Sequence, residues 1–154
     1  MNNTIIEFVK EIKYLGFMIT HNNRDETHLE SMYRGLCVRS NMVLRNFSKC
    51  ASDVKCLLFQ SFCTSFYCLP LIFKFKVLNL NRLRVCYNNS IRKLFGVNRQ
   101  TSVSALCVER GVPTFAEVHR KAVVSLLQRL KSSNNAIIKS LTNVNSFHTS
   151  EMSM

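Results

Sequence analysis

Residues 41–73 read NMVLRNFSKCASDVKCLLFQSFCTSFYCLPLIF, and no residue between Lys55 and Lys74 carries a charge. A span of that character is either the centre of a folded core or a segment in lipid. Ser52 is a favourable N-cap ahead of Asp53, and Val54, Leu57, Leu58, Phe62, Cys63 and Phe66 recur at helical spacing as far as Pro70. The pattern predicts one buried helix. Gln60, Ser61, Thr64 and Ser65 interrupt the apolar run, and Pro70 removes a backbone donor before a membrane-length span of about 20 residues is complete. A core helix is the expectation; the alternative is a small membrane-anchored protein with residues 56–73 as its spanning segment.

On the N-terminal side, residues 5–20 alternate loosely around Ile5, Ile6, Phe8, Val9, Ile12, Tyr14, Phe17, Met18 and Ile19, which predicts a short β-hairpin. Gly16 can accept a bulge, and His21-Asn22-Asn23 marks the exit turn. Asp25 and Glu26 place negative charge where a helix dipole favours it, at the start of a helix running to about Phe47. Its apolar stripe is Leu29, Met32 or Tyr33, Leu36, Val43 and Phe47, with Arg34, Asn41 and Arg45 on another face.

On the C-terminal side, Lys74 and Lys76 flank Phe75, and Asn79 or Asn81 is the cap of a helix that presents Leu80, Leu83, Tyr87, Ile91 and Leu94 on one face and Arg82, Asn89 and Lys93 on another. Gly96 is its stop. A short helix at about Val103 to Arg110 ends at Gly111 and Pro113, and Thr114 with Glu117 forms a Thr-x-x-Glu capping box that opens a helix through about Lys131. Ser132-Ser133-Asn134-Asn135 breaks it, a weaker helix follows over 136–142, and residues 143–154 read as a disordered polar tail. The fold class is mainly α (α+β): a short N-terminal β-hairpin over residues 1–24 followed by a five- to six-helix bundle over 25–142.

The 154 residues suit one domain or a piece of a larger one, and an apolar fraction of 47% permits a packed core. Lys and Arg total 21 against 9 Asp and Glu, a formal charge of +12, which favours polyanions such as nucleic acid or acidic lipid. A solvated surface whose acidic complement lies on another chain is the alternative. Seven cysteines form no CxxC pair, and most sit among Leu, Phe and Tyr as small core hydrophobes. A reducing compartment, nucleus or cytoplasm, is expected. Glu7 and Glu11 fall where a cleavable signal needs an apolar core, so secretion is not.

Catalytic inventory is thin. The carboxylates are scattered, with only Asp25 and Glu26 adjacent, and no Asp-Asp pair offers to hold two metal ions. His21, His28, His119 and His148 show no metal-ligand spacing with each other or with a cysteine, and His119 reads as a packed or surface histidine. Gly16, Gly35, Gly96 and Gly111 stand alone, so no phosphate-cradling loop is formed. No catalysis, metal or cofactor is expected. The basic residues say more. Arg34 and Arg45 share a helical face, as do Arg82 and Lys93; Arg92, Lys93 and Arg99 make a second cluster, and Arg120, Lys121, Arg129 and Lys131 a third. Such stripes can track a phosphate backbone, with Asn41, Asn88 and Asn89 as neutral donors, although each stripe alone is also what a solvated helix face looks like. Tyr14, Phe17 and Tyr67 are candidates to stack on bases, or are core.

Four segments carry a family resemblance: Lys13-Tyr14-Leu15-Gly16 within VKEIKYLGFMI, residues 41–68, LRVCYNNSIRKLFGV (83–97) and CVERGVPTFAEVHRK (107–121). Together, across residues 5–131, they resemble the C-terminal side of a LINE-type, jockey-like non-LTR retrotransposon reverse transcriptase. The resemblance implies that residues 1–24 are a palm-edge hairpin and residues 25–142 a thumb-like domain that grips RNA or an RNA–DNA duplex. The family's catalytic aspartates precede the KYLG strand, so the resemblance transfers no catalytic residue. It implies a truncated element copy, with a palm-containing reverse transcriptase chain as a further partner, or else an inert transposon relic; a membrane is not an expected partner.

Overall fold

The structure is a computed structural model; it describes residues 8–14, 16–22, 26–71 and 77–143. Strands β1 (Glu11–Tyr14) and β2 (Phe17–Thr20) pair antiparallel, with Tyr14 opposite Phe17 across the tight turn. Gly16 sits at φ +84°, in the region that only glycine enters without strain, and an added Cβ would lie 3.2 Å from the Tyr67 ring. The positive φ favours glycine there, and a Cβ would also press on the exposed Tyr67 ring. His21 N–H donates to the Lys10 carbonyl at 3.0 Å and closes the hairpin. The hairpin docks through Phe17, whose ring lies 4.4 Å from that of His28. The expectations placed on residues 5–7, Asn23, Asp25, Lys74–Lys76 and 144–154 lie outside the described residues.

Six helices follow: α1 (Glu26–Asn46), α2 (Ser52–Cys63), α3 (Val77–Phe95), α4 (Val103–Arg110), α5 (Phe115–Lys131) and α6 (Ala136–Asn143). Helix α1 carries Glu26 in its first turn and Arg45 in its last, matching its dipole, and buries Leu29, Met32, Leu36 and Val43 at the expected helical spacing. Phe47 lies just beyond its end and is 37% exposed.

The decisive stretch folds differently from its expectation. Ala51, not Ser52, is the N-cap of α2, and Ser52 is its first helical residue. The helix stops at Cys63 rather than continuing to Pro70. Thr64 Oγ1 donates to the Gln60 carbonyl at 2.6 Å and Ser61 Oγ to that of Leu57 at 2.8 Å, side-chain competition that weakens a helix interior. Cys68 then adopts φ 61°, and a single 3-10 turn covers Leu69–Leu71. Along this kinked path Phe66 and Leu69 are buried. The buried face of α2 is Cys56, Phe59 and Cys63; Val54 (42%), Leu57 (65%) and Phe62 (54%), expected inside, are exposed. No helix among the described residues is long and apolar enough to cross a membrane.

Helix α3 begins at Val77, so Asn79 and Asn81 lie inside it rather than capping it. Leu83, Tyr87, Ile91 and Leu94 are buried as expected, and Leu80 packs at the edge of the core. Gly96, at φ +63°, ends the helix. Tyr33 faces Arg82, Cys37 meets Cys86, and Ser40 meets Ser90, so partners advance together along α1 and α3 and the two helices run parallel. Helix α4 is capped by Ser102 at one end and at the other by Gly111, in the left-handed conformation, with Val112 N–H reaching back to the Cys107 carbonyl. The capping box of α5 is present in full: Thr114 Oγ1 accepts from Glu117 N–H, and the Glu117 carboxylate accepts from Thr114 N–H at 2.6 Å. The four rings of Phe59, Phe66, Tyr87 and Phe115 meet at centroid separations of 5.3–6.3 Å in tilted and edge-on geometry, forming the centre of the core.

Candidate nucleic-acid interface

Because α1 and α3 run parallel, their C-terminal ends lie at the same end of the molecule. Basic residues collect in those last turns, Arg45 on α1, Arg92 and Lys93 on α3 and Arg110 on α4, where the negative end of each helix dipole favours them. The ends of α1, α3 and α4 meet the start of α2 around a concavity of about 340 Å³. Lys55, Lys93 and Arg110, from three different helices, line it together with Ser48 and Ser52, over an apolar floor that includes Val43, Leu44 and Leu94. Among the described residues no carboxylate lines it; Glu109, outside the lining, pairs with Arg110 at 3.2 Å. The Arg110 guanidinium lies over the Phe95 ring, 5.6 Å from its centroid. Three cations and two hydroxyls around an open hollow suit phosphate oxygens.

The larger groove at the opposite end of the α1–α3 pair, about 780 Å³, is of mixed charge. Arg34 and Arg82, which the sequence placed in separate stripes, meet there on one carboxylate, Glu30, at 3.4 Å and 3.7 Å. Arg82 also lies 5.9 Å from the Tyr33 ring centroid, and Glu26 joins the lining. A phosphate would compete with Glu30 here, so this groove is the weaker anion site.

The remaining candidates are dispersed. Arg92 is half-buried, its Nε donating to the Thr101 carbonyl at 3.2 Å and its Nη1 to Asn89 Oδ1 at 3.1 Å; it latches α3 to the loop before α4 and does not face solvent with Lys93. Arg99 is exposed in the turn between α3 and α4, and Arg45 is exposed at the end of α1. Arg120 and Lys121 are exposed on α5 beside Glu117, whose carboxyl is held below its ordinary range chiefly by the Thr114 backbone amide and hydroxyl, and less by those two cations. His119 on the same helix is half-buried, and burial holds its imidazole below the ordinary range. Of the aromatic candidates, Tyr14 and Tyr67 are exposed, while Phe17 is half-buried against His28. Asn41 is exposed. No group of three metal-ligating side chains occurs among the described residues.

Sequence reasoning missed Lys55 and Arg110. Lys55 registered only as the border of the uncharged run and Arg110 as the end of a short helix; their convergence with Lys93 is tertiary. The one legible signal was the repeated placement of a cation in a last helical turn.

The chain matches no family model, no curated protein and no solved structure.

Proposed function

We propose that this chain binds the sugar-phosphate backbone of RNA or an RNA–DNA duplex without reading its sequence, as a thumb-like, non-catalytic part of a non-LTR retrotransposon reverse transcriptase. The observation that carries the binding is the hollow where Lys55, Lys93 and Arg110 converge with no carboxylate of the described residues in its lining. The chain as a whole is strongly basic, with a formal charge of +12 that favours a polyanionic partner. Phosphate contacts of this kind position a duplex but carry no base information. The assignment to a reverse transcriptase rests on the four segments that resemble that family, and the palm-containing chain they imply is its proposed partner.

Fluorescence anisotropy with two unrelated RNA sequences and the matching RNA–DNA duplexes tests the binding. Comparable affinity for both sequences is expected. A preference of about 100-fold for one sequence would demand base contacts that phosphate-directed cations do not supply, and would reject it.

A further inference from the structure

The seam between α1 and α3 is built from short side chains. One turn beyond the Tyr33–Arg82 contact, Cys37 Sγ and Cys86 Sγ stand 3.4 Å apart, and one turn further Ser90 Oγ donates to Ser40 Oγ at 3.3 Å. The cysteines are 49 positions apart in sequence, each on a long helix packed into the core. They are a little over 1 Å short of the covalent S–S separation of about 2.05 Å. Their exposures differ: Cys37 is half-buried and Cys86 is buried. Among the described residues no other two thiols are in hydrogen-bond contact.

We propose that Cys37 and Cys86 are an oxidisable dithiol that a peroxide converts to a disulfide bridging α1 and α3. Cys37, the more accessible, is the sulfur that meets the oxidant. Its thiolate attacks one peroxide oxygen, the O–O bond breaks, and with the thiol's own proton one water leaves; Cys37 is then a sulfenic acid. The Cys86 sulfur, already in contact, attacks the Cys37 sulfur; the S–O bond breaks and the hydroxyl departs as a second water with the Cys86 proton. Two thiols and one peroxide become one disulfide and two waters. Burial pushes the Cys86 thiol up to about 12, so Cys37 rather than Cys86 is the sulfur that reacts first with the oxidant. The Tyr33 phenol, raised above its ordinary value first by Cys37 and then by Cys86, lies against the same sulfurs. A covalent bridge between two parallel helices would lock the scaffold that holds Lys93 at the basic hollow, yet its formation does not depend on nucleic-acid binding.

The test treats the full reduced chain with a small excess of hydrogen peroxide, blocks remaining thiols and digests with trypsin without reduction. Expected is a linked pair of peptides, residues 35–39 with residues 85–92, two hydrogens lighter than their sum and separated by dithiothreitol. The oxidised protein should melt about 10 °C higher, because the bridge constrains the unfolded chain, and Cys37→Ser should lose both the link and the rise. Recovery of both peptides blocked and unlinked, or links through Cys50 or Cys68 at equal yield, overturns the proposal. So does a link that forms and lowers the melting midpoint, since the native helices would then not hold the sulfurs in register. The map of the unmutated protein decides the matter even if the variant folds poorly.

Discussion

The Tyr87 phenol donates a 2.7 Å hydrogen bond to the carbonyl oxygen of Pro113, tying the middle of α3 to the loop that launches α5. Tyr87 is fully buried, and the rings of Phe59, Phe66 and Phe115 surround it, so one side chain both fills the core centre and satisfies a loop carbonyl. Tyr87→Phe keeps the ring and removes the donor, and should cost about 1–2 kcal/mol. Tyr87→Ala also opens a cavity and should cost about 3–5 kcal/mol. Urea unfolding of both variants measures this; equal losses would mean that the hydrogen bond, not the ring, does most of the holding.

The two faces of α2 should respond oppositely to charge. Phe59 is fully buried, so Phe59→Asp places an unpaired carboxylate in the core and should abolish cooperative folding. Leu57 and Phe62 are exposed, so Leu57→Asp and Phe62→Asp should change stability by about 0.5 kcal/mol or less. Circular dichroism melts separate the cases. Collapse of the Phe62→Asp variant would mean that the helix presents its other side to the core.

That face was the part of the fold least legible in sequence. Of the expected residues Cys63 and Phe66 are buried, but Val54, Leu57 and Phe62 are not, because Leu57, Leu58, Phe59 and Phe62, Cys63 put apolar side chains all round the helix and the short polar interruptions do not single out one face. Where polar residues interrupt the apolar ones the reading held: α4 and α5 have the expected bounds, the Thr114–Glu117 box is in place, and Leu83, Tyr87, Ile91 and Leu94 are buried. At the candidate site, Lys93 was legible as a surface cation. Its neighbours Lys55 and Arg110 were not, because the parallel run of α1 and α3 that brings the helix ends together leaves no local signature.

Removing the α5 cap should have a defined cost. Thr114→Ala is expected to lose about 1 kcal/mol, a fall of about 3 °C in melting midpoint. The Glu117 partner adds a pH dependence: its carboxyl is held below the ordinary 4.5, so its stabilisation is present above that pH and lost as pH falls through the lower folded value. Glu117→Gln can still accept from the Thr114 amide but does not titrate there, so its melting curve should fall less steeply in acid. Parallel acid profiles for the two proteins would place the titrating group elsewhere.

At alkaline pH the buried thiols should set the limit. Burial moves Cys63 from its ordinary 9.0 up to about 11, so stabilisation is complete below pH 9 and is lost as pH rises toward about 11. Cys63→Ala should start from a lower midpoint, because of the cavity, and decline less across that window. Thermal melts on both proteins at matched ionic strength provide the comparison, and an unchanged decline in the alanine variant would exclude Cys63 as a source.

The most direct measurement is the salt dependence of affinity for an RNA–DNA duplex, taken by anisotropy on the native protein and on the Lys55→Gln, Lys93→Gln, Arg110→Gln triple variant. Each phosphate contact contributes about 0.9 to the slope of log affinity against log salt on a B-form duplex. The native protein should bind at about 50 mM salt with a steep linear decline, and the triple variant should show a slope shallower by about 2–3. No binding at about 50 mM salt, or binding indifferent to salt, would contradict backbone recognition; a slope unchanged by the three substitutions would move the contact away from the hollow where the helices end.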